Sequence, residues 1–595
     1  MNGSVIASVL YVTGFAALFA AIFLLEKSEK KLNGIMWLIF SLLAEMCWGG
    51  FVAAIINLVH IPINIYSMGV VYLLSAGFLS IKIWKEKKIQ HYQWDLLDIL
   101  FSAGVILIVG VMVFQRTGLE LDPMFLNSDA AVHLKNAVSL VQSQHLPVMY
   151  FAPFQTAMVL EIFMPAVPIY YFYKIFILFD AFLFIVELIF FYTFCREYFS
   201  NWKMKIIGIL MCVLYGAGYP LLSYLLTFYY WAIGVMIMTW IAFLLRMYRR
   251  KEIKRNYLLI LLMLACNGVT MCYMLIGPTT YIAAFLCLAV IAKSEGKLVT
   301  KSNILLALKV FLLPTILSVY YCYFEFLKKQ GMSAKEVIAI DGGIYRELYV
   351  NFLLVLPFVV YWILQSVRQK KADENMIFFL TIMVFVMALF FLAVKGFVSG
   401  YYFYKFYYPF WFFSYVLAIQ GMEKLLEEHW EILASYGLVF LFLFVIHFGK
   451  VEAKAVQNWA NFQEEEHAGV FFHLYDFNNS YAHQERCAVP PKYMELCKYV
   501  VDELESDKDI PLLATQGNYE DCYWYEAITG EDSSDYYGWW YKFSEIKGKL
   551  ERQEAEYFAV YKDSEIFKEN REYFKKYEKV YQNKKAVVYR TSPEE

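Results

Sequence analysis

Charged residues are scarce in this sequence. Asp, Glu, Lys and Arg make up 18% of the chain, whereas about a quarter of the residues in a typical soluble domain are charged. The formal net charge is only -2, so the chain lacks the basic excess of a general nucleic-acid-binding protein. Hydrophobic residues reach 60%, aromatic residues 19% and the mean hydropathy +0.47. This composition excludes an ordinary soluble domain and favours a membrane protein.

Several chemical motifs are also absent. The ten cysteines show no paired metal-ligand spacing, and most lie in apolar tracts where they pack as small hydrophobic residues. There is no glycine-rich phosphate loop and no Ser-His-Asp arrangement. No internal repeat is visible, which disfavours the repeated plan common among secondary transporters. The first apolar run, residues 5–25, is too long for the core of a cleavable signal peptide and lacks a basic segment before it.

Apolar runs of about 20 residues recur along the chain, each long enough to cross a bilayer core of about 30 Å. They predict an all-α polytopic membrane protein with about 14 transmembrane helices. The predicted spans are 4–25, 34–57, 61–82, 96–115, 170–194, 205–223, 228–247, 257–276, 279–292, 304–325, 348–367, 376–394, 405–421 and 432–449.

The orientation of these spans follows from the short basic loops, which favour the cytoplasmic side. Six clusters of Lys and Arg each follow an odd-numbered span, so all six can lie on one side of the membrane. The N-terminus, the loop at 116–169 and the tail after the last span are then extracytoplasmic. The clusters begin at Lys27, Lys82, Arg196, Arg246, Lys293 and Arg368.

The loop at 116–169 contains the most polar stretch between the long apolar tracts. Within it, Asp129 and His133 are four residues apart, so a helix capped by Ser128 or Asp129 would present both on one face. A carboxylate and an imidazole held at a membrane surface can accept a proton and contact a phosphate. A capped surface helix facing water is the alternative interpretation. The Pro-broken apolar second half of the loop predicts one or two interfacial helices.

A second candidate cluster is the aromatic segment that begins at Gly400 and ends at Pro409. Lys405 is its only cation. Together with Tyr404 and Lys395, it could bind the phosphate of a lipid-linked donor. Aromatic belts are common at membrane interfaces, however, and a lysine among them often only extends to the headgroups.

Ionisable residues within predicted spans are functional candidates because their burial is costly. Asp180 and Glu187 share a face of the fifth span, and Glu45 lies in the second span. Asp180 is the best proton-relay candidate if the protein is a transporter. Each of these acids could instead pair internally.

The tail, residues 450–595, is rich in Glu, Lys and Tyr and predicts a small extracytoplasmic α/β domain. Its predicted elements are a helix at 492–504, strands at 511–515 and 556–561, a helical stretch at 564–577 and a terminal hairpin at 579–590. We expect it to position the acceptor and to carry no catalytic group. Its aromatic residues either stack on sugar rings or form its core or a membrane-facing patch. They are Trp524, Tyr536, Tyr537, Trp539 and Trp540.

The motif at 128–134, the Pro-broken stretch after Leu146-Pro147 and the segment around Tyr404-Lys405 resemble the membrane glycosyltransferases of the GT-C fold. The resemblance implies a large first outer loop with an acidic motif and a polyprenyl-phosphate-linked sugar as donor. It also implies transfer with inversion to an extracytoplasmic acceptor. Two features depart from the family pattern: four spans, residues 1–115, precede the motif, and no second acid adjoins Asp129. Dependence on a divalent metal is therefore left open.

The sequence thus predicts a membrane glycosyltransferase with 170–449 as its main transmembrane bundle. Asp129 would act as general base, and His133, Lys405, Tyr404 and Lys395 would bind the donor. The acceptor would be a cell-envelope glycan, a lipid or a protein. Two alternatives are a polysaccharide polymerase or ligase, for which the main outer loop offers only Arg116, and a transporter or flippase that uses Asp180 and Glu187.

Overall fold

The computed structural model describes residues 5–147, 149–294, 296, 300–328, 333–339, 351–448, 472–483, 489 and 491–591. Eleven helices within these residues are long and apolar enough to cross a membrane. The protein is therefore an all-α polytopic membrane protein, and a small sheet with flanking helices follows near its C-terminus. The first four helices are α1 (Val5–Leu24), α2 (Gly34–Leu58), α3 (Ile65–Glu86) and α4 (Leu96–Thr117).

Two shorter helices, α5 (Asp129–Ser143) and α6 (Phe151–Phe163), lie in the long loop predicted at 116–169. Ten of the thirteen residues of α6 are buried. The sequence predicted interfacial helices here, but α6 packs against helices on several sides, among them α1, α2, α5 and α7 (Phe172–Cys195). Its apolar residues are thus covered by protein. Pro153 is tolerated because it lies in the first turn, where the backbone N–H groups have no intrahelical partner.

The remaining helices of the membrane region follow in order. They are α8 (Trp202–Ala217), α9 (Tyr219–Leu225), α10 (Tyr229–Arg249), α11 (Arg255–Cys272), α12 (Ile276–Ser294), α13 (Lys301–Val319, continued as a π-helix over Tyr320–Lys328), α14 (Ala334–Ile338), α15 (Leu356–Arg368), α16 (Glu374–Val394), α17 (Gly400–Lys405), α18 (Tyr407–Glu428) and α19 (Trp430–Phe448).

All fourteen predicted spans coincide with helix. The predicted span at 205–223 is divided between α8 and α9 at Gly218. Three of the predicted spans are not among the eleven candidate membrane spans. Two of them correspond to α15 and to the apolar part of α19, which are shorter than 18 residues, and the third corresponds to α18, which is long enough to cross a membrane but less apolar. The predicted ends at 348–350 and at 449 lie outside the described residues.

Short polar residues define where several helices begin. Asn33, Asp95 and Asp373 precede α2, α4 and α16, and each side chain accepts a hydrogen bond from a backbone N–H of the first turn at 2.8–2.9 Å. These caps satisfy donors that have no partner within the helix. Because α2, α4 and α16 all begin at the same end of the bundle, the caps also mark that end.

That end holds the basic loops. Arg196 forms ion pairs with Asp95 and Asp98 at 2.6 and 2.8 Å, and Arg249 pairs with Glu374 at 2.8 Å. Arg249 ends α10, whose 21 residues span about 30 Å. The loops predicted to be cytoplasmic therefore gather at the end of the bundle opposite the first residues of α10.

The C-terminal region contains the helices α20 (His473–Ala482), α21 (Pro491–Glu503), α22 (Tyr519–Thr529), α23 (Phe543–Glu551), α24 (Glu565–Glu569) and α25 (Arg571–Phe574). Two-residue strands β1 (Leu32–Asn33) and β2 (Tyr92–Gln93) pair in the membrane region, and β3 (Leu512–Leu513), β4 (Tyr557–Tyr561), β5 (Glu578–Gln582) and β6 (Ala586–Arg590) form the C-terminal sheet. Its order is β3-β4-β6-β5. The predicted terminal hairpin is present as antiparallel β5 and β6. The predicted boundary at 450 lies outside the described residues.

Candidate functional site at the loop end of the bundle

Helix α5 places the predicted acid and histidine on one face. It begins at Asp129, and Ser128 precedes it without a side-chain cap hydrogen bond. The amide of Asn127 instead donates to Asp129 Oδ2 at 3.4 Å. His133 lies one turn further on, with its ring against Tyr229 and Tyr230 at 5.6 and 4.9 Å. The start of α5 therefore faces the start of α10.

Lys405 is held among aromatic rings at the end of α17. Its ammonium donates a hydrogen bond to the Tyr230 hydroxyl at 2.6 Å. It also lies over five rings at 4.5–5.7 Å from their centroids, an arrangement that attracts a cation through the negative faces of the rings. The five rings belong to Phe228, Tyr230, Trp231, Tyr273 and Tyr401.

The three predicted residues interact electrostatically. Burial lowers the pKa of Lys405 to about 7, and the Asp129 carboxylate opposes that shift. Burial, followed by the positive charge of Lys405, lowers the pKa of His133 to about 3. The imidazole is therefore neutral near pH 7, where it can donate through one nitrogen and accept through the other.

Asp129 also has a raised pKa. Burial is the largest cause, Lys405 acts in the opposite direction, and the carboxylate of Glu520 raises the pKa further. Glu520 belongs to α22 of the C-terminal region. A carboxylate whose pKa is raised toward neutrality is a stronger proton acceptor than a free one, which suits a general base.

A cavity of about 440 Å³ lies beside this cluster, within the size range of ligand pockets. Its walls come from α5, from the starts of α10 and α17, and from the π-helix that continues α13. Apolar side chains form most of the rest of the lining, and its polar groups belong to His133, Asn136, Tyr230, Tyr273, Tyr401 and Tyr402. Tyr230 and Tyr401 contact Lys405 as well, so the cation lies directly behind the cavity wall.

The other predicted donor contacts are Tyr404 and Lys395. Tyr404 packs against the rings of Phe403 and Tyr407 at 4.9 and 6.0 Å, and Lys395 is exposed at the end of α16. Like Asp129 and Lys405, they are not among the described residues that line the cavity, but Lys405 bonds Tyr230, which is. Glu161, another acid of the loop, accepts a hydrogen bond from the backbone N–H of Ile65 at 2.6 Å and thereby supports the start of α3.

The C-terminal region docks directly on α5. Lys135 forms an ion pair with the buried Glu526 at 2.9 Å, and the Tyr537 hydroxyl donates to the same carboxylate at 2.7 Å. Phe125, just before α5, packs against Trp524 at 4.7 Å. Three of the five aromatic residues considered for sugar stacking are thus core residues, namely Trp524, Tyr536 and Tyr537, whereas Trp540 is exposed.

The acids within the membrane spans are buried, and two have identified neighbours. Glu187 accepts hydrogen bonds from Tyr408 and, at 3.2 Å, from Tyr215. Asp180 lines a small cavity with Arg116. Glu45 is buried in α2. Glu187 therefore has internal hydrogen-bond partners, as considered from the sequence, and Asp180 shares its cavity with Arg116, whose Nε donates to the Met124 carbonyl at 3.0 Å.

The residues around Asp129 do not fit a divalent metal. No group of three or more His, Cys, Asp or Glu side chains converges within the part of the chain that the structure describes. Two carboxylates, Asp129 and Glu520, interact there, and the positive charge of Lys405 beside Asp129 would repel a second cation. The proposed reaction therefore includes no metal-dependent step.

Sequence reasoning identified Asp129, His133 and Lys405 but missed Tyr230, Tyr273 and Glu520. Tyr230 stands at the start of a predicted span, where an aromatic residue is routine. Glu520 lies in the tail, far along the chain from Asp129. Nothing local in the sequence connects these residues, because their proximity arises from helix packing.

No protein-family model matches the chain, and no curated protein matches it. A solved structure of the archaeal oligosaccharyltransferase AglB from Archaeoglobus fulgidus, in complex with an inhibitory peptide and a dolichol-phosphate, is similar with a TM-score of 0.41 and 9% identity. The match covers 84% of this chain and 75% of that one. A similarity this low carries no conclusion about the activity of this chain.

Proposed function

We propose that this protein is a GT-C-like membrane glycosyltransferase that moves a sugar from a polyprenyl-phosphate donor to an extracytoplasmic acceptor. The observation that carries the proposal is the electrostatic coupling of Asp129 and Lys405 beside one cavity. A base and a cation are the two groups that transfer from a sugar phosphate needs. Both stand at the end of the bundle opposite the basic loops, where a lipid-linked donor can enter from the membrane.

In the proposed reaction, Asp129 accepts the proton of an acceptor hydroxyl as its oxygen attacks the anomeric carbon. The bond between that carbon and the phosphate oxygen breaks, and polyprenyl phosphate leaves with the bonding electrons. One proton moves to the carboxylate, one glycosidic bond forms and one glycosyl–phosphate bond is lost. Attack from the face opposite the phosphate inverts the anomeric centre.

Lys405 stabilises the charge that develops on the leaving phosphate. Its aromatic surroundings exclude water, which strengthens the attraction between the ammonium and an incoming phosphate. A phosphate with up to two negative charges would also restore the positive form of the lysine, whose pKa is about 7 without it. Neutral His133 donates a hydrogen bond to a phosphate oxygen or orients the acid.

The apolar part of the cavity suits the first isoprene units of the donor, and its few polar groups suit the sugar. The acceptor class stays open between a cell-envelope glycan, a lipid and a protein. Glu520 on α22 interacts electrostatically with Asp129, so we expect the acceptor to approach Asp129 along α22.

The test is turnover of the donor by purified protein in detergent. Polyprenyl-phosphate-linked radiolabelled hexoses and pentoses are supplied one at a time with membrane extract as acceptor. We expect one of these donors to lose its label from the lipid fraction while free polyprenyl phosphate accumulates. If none turns over, and liposomes containing the protein translocate the same lipids, the proposal is wrong and the flippase alternative holds.

A further inference from the structure

A second cavity of about 510 Å³ lies between α1, α2, α3 and α11, on the outside of the bundle. It begins at the basic-loop end, with Lys27, Lys82 and Tyr257, and runs along the helices to Leu74 and Trp48. Leu74 and Lys82 are eight residues apart on α3, a rise of about 12 Å. This groove therefore extends nearly as deep as one leaflet of a bilayer core about 30 Å thick.

The walls of the groove are apolar and accessible from the side of the protein. Leu74 and Phe78 each leave 71% of their surface exposed, and Ile260 on α11 leaves 52% exposed. All three lie on helices long and apolar enough to cross a membrane. The occupant of such a groove is a hydrocarbon chain, because these walls offer a soluble ion almost no polar contact.

The basic end of the groove holds two lysines whose described contacts include no carboxylate. Lys27 is 3% exposed, and its ammonium donates only to the carbonyls of Phe23 and Leu25, at 3.0 and 3.1 Å, and to a tyrosine hydroxyl. Lys82 reaches from α3 across to α11, where its ammonium lies 4.7 Å from the centre of the Tyr257 ring. Lys27 and Lys82 therefore both line the basic end of an apolar groove.

Two other lysines at the same end of the bundle have acidic partners. Lys254 pairs with Glu26, and Lys30 pairs with Glu252 at 3.2 Å. The contrast matters for Lys27, because a buried ammonium without a counter-charge is costly. Burial lowers the pKa of Lys27 to about 7. An anionic group in the groove would stabilise the positive form of this lysine.

We propose that the groove binds an acidic phospholipid, with one acyl chain along α3 and α11 and the phosphate between Lys27 and Lys82. Basic pockets between membrane helices on the cytoplasmic side recognise acidic headgroups in this way. The site is distinct from the cavity beside Asp129, because the two lie at opposite ends of the bundle. It does not depend on the proposed glycosyl transfer.

The experiment measures lipid adducts on the purified full chain by native mass spectrometry. The probes are phosphatidylglycerol and phosphatidylcholine with identical acyl chains, with and without excess inorganic phosphate. We expect at least a tenfold preference for phosphatidylglycerol, and little competition by inorganic phosphate. Equal binding of the two lipids overturns the proposal, and full competition by inorganic phosphate shows an ion site instead.

Variants locate the binding site. Lys82→Met keeps the length of the side chain and removes its charge, and we expect the preference for phosphatidylglycerol to fall about fivefold or more. Lys30→Met is the matched control, because Lys30 belongs to the same basic end but does not line the groove. Lys27→Met should lower the preference for phosphatidylglycerol as Lys82→Met does. If the Lys27→Met variant does not fold, Lys82→Met alone decides the outcome. An equal loss in Lys30→Met would show a general surface-charge effect and contradict the groove.

Discussion

Lys405 combines a positive charge with a site that makes the charge costly. Its ammonium has one hydroxyl partner and five aromatic rings around it, and burial brings its pKa to about 7. For a lysine with a lowered pKa, the charged form is present below that value and is lost as the pH rises through it. Donor binding should therefore weaken as Lys405 loses its positive charge.

The first prediction concerns this pH dependence. Between pH 6 and pH 8.5, the KM for a polyprenyl-phosphate sugar should rise as Lys405 loses its proton. Lys405→Arg should flatten the profile, because a guanidinium stays charged throughout that range. A profile that keeps its rise in Lys405→Arg would assign the titration to another group.

The second prediction concerns the size of the Lys405 contribution. Lys405→Ala should lower kcat/KM by about 2–4 kcal/mol of transition-state stabilisation, as for the loss of a desolvated oxyanion contact. Lys508→Ala is the control, because Lys508 is exposed in the C-terminal region and does not belong to the candidate site. An equal loss in both variants would point to general surface charge as the cause.

At the scale of elements, α5 connects the candidate site to the C-terminal region. Asp129 lies in its first turn, and Lys135 nearly two turns later binds Glu526 of α22. The same α22 brings Glu520 toward Asp129. Displacement of α22 should therefore change both the stability of the docked tail and the environment of Asp129.

The third prediction is that Lys135→Met weakens this docking by about 2–3 kcal/mol. The figure is below the 3–5 kcal/mol typical of a fully buried pair, because Lys135 keeps 26% of its side chain exposed. Hydrogen exchange of α22 should accelerate accordingly. Adding Glu526→Gln to Lys135→Met should restore part of the protection, since the buried charge is then removed. Unchanged exchange in Lys135→Met would contradict the role of the pair.

Element prediction from the sequence succeeded where one physical signal dominated. Apolar length located the helices of the spans, and alternation located β4 and the hairpin of β5 and β6. For α6, the sequence predicted a helix at the membrane interface, whereas the structure shows a helix covered by other helices. Composition does not distinguish the two, because both kinds of helix are apolar. The approach of α17 to α10, which brings Lys405 to Tyr230, depends on packing between distant segments and leaves no local signal.

At the scale of the whole molecule, the basic loops and the candidate site occupy opposite ends of the bundle. The sequence predicts that the basic end is cytoplasmic, and the function proposed here requires the other end to be extracytoplasmic. The fourth prediction tests this orientation by labelling introduced cysteines in intact cells. A membrane-impermeant thiol reagent should modify Glu120→Cys and spare Lys251→Cys.

The unmodified chain is the control for labelling of the native cysteines. Of the nine cysteines in the described residues, only Cys322 is not buried, and Cys487 lies outside the described residues. If the reagent modified Lys251→Cys and spared Glu120→Cys, the topology would be the opposite of the predicted one. The proposed use of a donor on the extracytoplasmic face would then be wrong.

In the proposed reaction, Asp129 removes a proton from the acceptor during sugar transfer. The most direct measurement is turnover of a polyprenyl-phosphate sugar by purified Asp129→Asn, beside Asp122→Asn as control, since Asp122 is exposed on the same loop. The amide keeps the size of the side chain but accepts no proton, so the rate should fall by about 10²–10⁴, while Asp122→Asn stays near wild type. Near-normal turnover in Asp129→Asn would contradict the account.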